Sequence, residues 1–100
     1  AVNIESLLAG YDIIINGTSA GLSGDVVQLP ARVVAEHSHC YDMVYGQKIT
    51  DFNRWCLSQA NCEVADGLGM LVEQAALAFK IWFDAEVETS VMIDRLRKSL

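Results

Sequence analysis

Residues Tyr11 to Gly24 read YDIIINGTSAGLSG, an apolar run that turns abruptly into a small, polar one. Tyr11 to Ile15 carries three consecutive isoleucines without strict alternation, the pattern of a strand covered on both faces in a parallel sheet. Asn16 and Gly17 end it, and the following NGTSAGLSG contains three glycines that permit backbone shapes closed to other residues. This predicts a strand followed by a loop at its carboxyl end, the edge at which open α/β sheets bind ligands. Thr18 and Ser19 are therefore candidates for hydrogen bonds to a bound molecule. A plain surface loop built from turn residues is the competing reading.

Upstream, Asn3 can cap a short helix through Leu8 that stops at Gly10. Downstream, the weak segment ARVVAEHSH leads to CYDMVY, Cys40 to Tyr45, a second apolar strand with Asp42 inside it and Gly46 and Gln47 after it. Thr50 is a good cap for a helix in which Phe52, Trp55, Cys56 and Gln59 recur at helical spacing. Cys62 to Ala65 is strand-like. Asp66 can then cap a long helix, DGLGMLVEQAALAFKIWF, that is apolar around most of its circumference and so expected to be covered on more than one side. A last helix is expected from about Glu88 to the end, with Met92, Leu96 and Leu100 on one stripe. Its acids near the start and Arg95, Arg97 and Lys98 near the end complement the helix dipole. The alternation of strand, loop and helix gives an α/β class with a parallel sheet.

One hundred residues with 52% hydrophobic composition suit one ordered domain. Thirteen acids against seven bases leave a net charge of -6, which argues against nucleic acid as a partner. No apolar run approaches the roughly 20 residues that cross a bilayer, and AVNIESLL lacks the features of a signal peptide, so a soluble, cytoplasmic protein is expected. Cys40, Cys56 and Cys62 are odd in number with no CxxC spacing, and read as buried free thiols in a reducing compartment. The HSHC run at His37 to Cys40 has no second ligand pair at zinc-site spacing, so no metal site is assigned.

A complete dinucleotide-binding fold opens with a strand and a glycine-rich turn that lays the pyrophosphate on a helix N-terminus, with a ribose-reading residue downstream. No GxGxxG is present in the chain, and its first residue is alanine. The sequence reads as the last part of a larger α/β protein.

YDIIINGTSAGLSGD, CYDMVYGQKITDF and ADGLGMLVEQAALAFKIW, in that order, resemble the C-terminal portion of the shikimate dehydrogenase family. The resemblance implies that residues 1–65 form the second half of a Rossmann-like parallel sheet with flanking helices. Residues 66–100 would be C-terminal helices that return to a substrate domain outside this chain. It implies an oxidoreductase that reduces 3-dehydroshikimate to shikimate with NADPH, as part of aromatic amino acid biosynthesis. Thr18 and Ser19 fall beside the cofactor, Met43 and Gly67 match positions at its nicotinamide end, and Tyr45 and Gln74 match positions that reach shikimate. Catalytic residues are expected in the N-terminal segment, so the 100 residues alone should be inactive. Where the family commonly has a proline two residues after the tyrosine, this chain reads Gln47.

The physical chemistry fits those roles. Met43 would offer a polarizable apolar surface to a nicotinamide ring, and Gly67 would let backbone approach the cofactor. Tyr45 combines a packing ring with a hydroxyl. Gln74, among Met70, Leu71, Leu77 and Ala78, would leave a polar group unmet at about 1–3 kcal/mol if buried alone. A polyhydroxylated acid would meet it, as would nearby backbone. Two further readings stand beside the first: quinate as substrate or NAD as cofactor, and a non-catalytic module whose long apolar helix drives self-association.

Overall fold

The computed structural model of the chain describes residues 4–18 and 28–100. Three short strands, β1 (Ile13–Asn16), β2 (His39–Asp42) and β3 (Glu63–Asp66), form a parallel sheet in the order β1-β2-β3. Helix α1 (Asp51–Gln59) makes the crossover from β2 to β3, α2 (Gly67–Phe83) follows β3 directly, and α3 (Thr89–Ser99) closes the chain. Strands in parallel register need such crossovers, and the expected α/β class is the observed one.

Period-two alternation sorts the strand residues onto two faces. Ile14, Cys40 and Val64 stand in one cross-strand row facing α1. There they pack with Phe52 and Cys56 of α1, with Cys62, and with Val33 and Val34. These two valines lie at the end of a 3-10 turn (Ala31–Val33), inside the segment that its weak periodicity left unassigned, and both are buried. The other face carries the rows Ile13, His39, Glu63 and Ile15, Tyr41, Ala65. Ile13 and Ile15 are exposed on it. The expectation that the first strand is covered on both faces is thus met on one face only by the described residues.

Other expectations shift at their edges. The first helical segment is a single 3-10 turn (Ile4–Ser6), with Asn3 outside the described residues, and the chain leaves it through Gly10 at a φ of 64°. The second strand runs from His39 to Asp42 rather than from Cys40 to Tyr45, so Met43, Val44 and Tyr45 belong to the loop beyond it. The reason is the side chain of Asp42, which accepts from the Val44 amide at 3.1 Å and turns the chain out of the sheet. Helix α2 buries only Gly67, Leu68 and Val72. Its far end is open, with Trp82 75% exposed and Ile81 and Phe83 exposed beside it. The helix is apolar on several sides, yet among the described residues only part of that surface is covered.

The three cysteines are free and buried in the core, with the sulfurs of Cys40 and Cys62 3.9 Å apart. Burial first, and then the neighbouring thiols, push Cys40 far above its ordinary value of 9.0. No helix of the described residues is long and apolar enough to cross a membrane.

Candidate functional site at the carboxyl edge of the sheet

The last residues of the three strands, Asn16, Asp42 and Asp66, are partners in one cross-strand row. Each uses its side-chain Oδ1 to accept from the amide two residues on. The distances are 3.2 Å from Thr18, 3.1 Å from Val44 and 3.2 Å from Leu68. A short polar side chain that bonds its own downstream backbone is a turn-former, and here the device ends all three strands at the same level. The first two turns are also tied to each other: Asn16 Nδ2 donates to Asp42 Oδ1 at 3.3 Å, and the Met43 amide donates to the Asn16 carbonyl at 3.1 Å. Asn16 also accepts the Thr18 hydroxyl at 2.7 Å. The sequence reads Asn16 as a strand end and Asp66 as a helix cap, but Asp42 only as a residue inside a strand, and it does not reveal that the three form one row. The recurring signal, an Asn or Asp as the last strand residue, was available at all three positions.

Asp42 is 1% exposed and its Oδ2 has no hydrogen-bond partner among the described residues, nor has Oδ1 of buried Asn53. Asn53 donates its other amide atom to the Ala65 carbonyl at 2.9 Å. Buried acceptors of this kind ordinarily take a proton donor.

Gly67 explains why α2 starts where it does. A Cβ built on it would overlap the carbonyl of Met43, whose carbonyl carbon would lie only 2.8 Å away, so no other residue fits without moving backbone. The Gly67 amide donates to the Val44 carbonyl at 3.3 Å. The close approach expected of Gly67 was to a cofactor; what its missing Cβ admits within this chain is the Met43–Val44 backbone. The Met43 side chain lies over Gly17, with its sulfur 3.3 Å from the position a Cβ would take there. Met43 remains 46% exposed and Tyr45 39% exposed.

Gln74 is exposed on α2. The argument from an unmet buried amide therefore does not apply within these residues. Position does, because seven residues make just under two helical turns and bring Gln74 back to the face that carries Gly67, about 10 Å further along the axis. The loop that bears Tyr45 abuts that same face at Gly67. The structure thus brings Thr18, Met43, Tyr45 and Gly67 to the carboxyl edge of the sheet, and helix spacing puts Gln74 on the Gly67 face of α2 about two turns further on, while Ser19 lies outside the described residues.

Asp66 completes the edge. Its two oxygens accept from Arg97 of α3 at 2.6 Å and 2.9 Å, and the same guanidinium donates to the Gly46 carbonyl at 2.8 Å. Burial pushes the Asp66 carboxyl up, but the bonds from Arg97 and the Leu68 amide outweigh it and hold the group below its ordinary 3.8. Thr50 caps α1 by accepting from Asn53 N at 3.2 Å, which fixes the far end of the Tyr45 loop.

Known proteins bear on this edge. Residues 67–97 match the Shikimate 5'-dehydrogenase C-terminal domain. The chain is 45% identical over all 100 of its residues to the shikimate dehydrogenase (NADP(+)) of Shewanella woodyi, of which it spans 37%. Among solved structures, shikimate 5-dehydrogenase of Thermus thermophilus, in complex with NADP(H) and shikimate, matches with a TM-score of 0.75 and 32% identity. That match covers 89% of this chain and 34% of that one. The ligand-free 5-ketofructose reductase of Gluconobacter sp. strain CHM43 matches with a TM-score of 0.76 and 32% identity, over 95% of this chain and 35% of that one. The fold is Rossmann-like, and the chain spans about a third of the length of the relatives it matches.

Proposed function

We propose that this chain, which belongs to the shikimate dehydrogenase family, forms the nicotinamide-side wall and part of the substrate pocket of an NADP-dependent enzyme that interconverts 3-dehydroshikimate and shikimate. The observation that carries the proposal is the junction at Gly67. It presses the Met43–Tyr45 loop against the α2 face to which Gln74 belongs.

In this reading residues 1–65 are the second half of the cofactor domain, and 66–100 are helices that pack on a substrate domain outside the chain. NADPH, when bound, supplies the hydride. The exposed thioether of Met43, seated on Gly17, suits a flat, weakly polar ring, and Thr18 follows Gly17 directly on the loop after β1, while Ser19 is read as a cofactor contact from the family resemblance alone. Tyr45 would bond a substrate hydroxyl or carboxylate through its phenol. Gln74 offers one acceptor and two donors to a polyhydroxylated ring. The proton acceptor and donor for the carbinol belong to the remainder of the protein, in the cytoplasm, where free thiols such as these three persist.

The test is a chimera in which these 100 residues replace the matching segment of the Shewanella woodyi relative. Shikimate-dependent NADP reduction by the chimera, and none by the chain alone, is the expected result. A folded chimera that turns over quinate with NAD, or reduces 5-ketofructose, but is silent with shikimate and NADP would overturn it. The chain alone should also self-associate through the open apolar end of α2 and the groove of about 430 Å³ that Phe79, Val87, Met92 and Leu96 help to line. Sedimentation that stays monomeric at high concentration would rule that out.

A further inference from the structure

We infer that Arg97, in the last turn of α3, is a positioning residue for the Tyr45 loop, an inference that rests on the reading of Tyr45 as substrate-facing. The loop between β2 and α1 contains no proline and includes Gly46, so its own covalent structure restrains it little. Its ends are fixed by the Asp42 turn and the Thr50 cap. Its middle is held at two carbonyls, one on each side of Tyr45: Val44 O by the Gly67 amide at 3.3 Å and Gly46 O by Arg97 Nη1 at 2.8 Å.

Complementing its own helix dipole would account for a basic residue in the last turn of α3 but not for this geometry. The guanidinium reaches across 51 positions to Gly46 and 31 to Asp66, and uses a planar fork to satisfy both carboxylate oxygens and a carbonyl together. Asp66 is also the cap of α2. Arg97 therefore links three things: the loop bearing Tyr45, the first turn of the helix bearing Gln74, and the end of α3. With side-chain exposures of 10% for Asp66 and 35% for Arg97, the pair is sheltered enough to hold its geometry. Lysine, a single point charge, cannot make the same three contacts. Gln47 adds a weak outer tie, its amide 3.5 Å from the Lys98 carbonyl.

In the chimera, Arg97→Ala is expected to raise the KM for shikimate by about tenfold with the KM for NADP unmoved and kcat changed less than about threefold, since it misplaces a binding group. Arg97→Lys should recover only part of this. In a Tyr45→Phe background, Arg97→Ala should add little, because its effect runs through the Tyr45 hydroxyl. Fully additive losses would overturn the inference, as would an unchanged KM. On the 100-residue chain itself, Arg97→Ala should speed hydrogen exchange at the Gly67 amide by about fivefold or more and leave the β1–β2 amides alone. Unchanged exchange at Gly67 would sink the positioning role even if the chimera proved inactive and the functional reading failed by itself.

Discussion

Replacing Gly67 with alanine is expected to lower the unfolding free energy by about 2–3 kcal/mol, the range for overpacking a site that cannot relax cheaply. The added methyl would meet the Met43 carbonyl, which is backbone, and backbone already engaged through the Met43 and Val44 amides. A loss of that size should lower the midpoint of thermal unfolding by roughly 10–20 °C in a domain of this length. Gly69 is the matched control: it lies two residues on in the same helix, and a Cβ there meets nothing within 4 Å. Gly69→Ala should stabilise the chain by about 0.5–1 kcal/mol through helix propensity alone. Opposite signs in two calorimetric scans would establish that Gly67 is held by contact. Two similar shifts would mean that the Met43 loop yields, and that the junction is soft.

The second large effect is on turnover. In the chimera, Tyr45→Phe and Gln74→Ala should each lower kcat/KM for shikimate by about 10- to 100-fold, as expected when a substrate hydroxyl or carboxylate is left without its partner at about 1–3 kcal/mol. Both residues are exposed here, so the same substitutions should change stability by no more than about 0.5 kcal/mol. That separation of activity from stability is the diagnostic. A Gln74 variant that unfolds early without losing kcat/KM would mark Gln74 as structural. A variant silent in both assays would remove it from the pocket.

The parts of the fold that were legible from sequence are those in which a local signal and its structural partner lie within a few residues. Thr50 and Asp66 read as caps, and each accepts from an amide two or three residues on. The isoleucine run read as a strand of a parallel sheet, and it is one. Met43 to Tyr45 read as strand because apolar residues dominate there. The Asp42 turn ends the strand regardless of hydrophobicity, since it offers the backbone a bond that the neighbouring strands do not. Arg97 read as a charge suited to a helix end, because nothing local announces a partner 51 positions away. Val33 and Val34 illustrate the same limit for packing, as two buried side chains set by tertiary contact carry no periodicity. Gln74 is assigned to the substrate by resemblance, and the accompanying argument from burial falls because the residue is exposed, a state set by tertiary packing that an apolar sequence context does not reveal.

The strand β3 ends at Asp66 and α2 begins at Gly67, with no residue between them. A connection without slack fixes angular phase as well as position. One residue inserted at this point would turn everything beyond it by about 100° around the helix axis, carrying Gln74 to a different side of α2 while leaving composition, amphipathicity and helix length almost untouched. Deleting one residue would turn it the other way. The length of this stretch is therefore as constrained as any of its side chains. Tolerated insertions and deletions in relatives should instead fall in the open loops, where added chain is absorbed without rotating a helix.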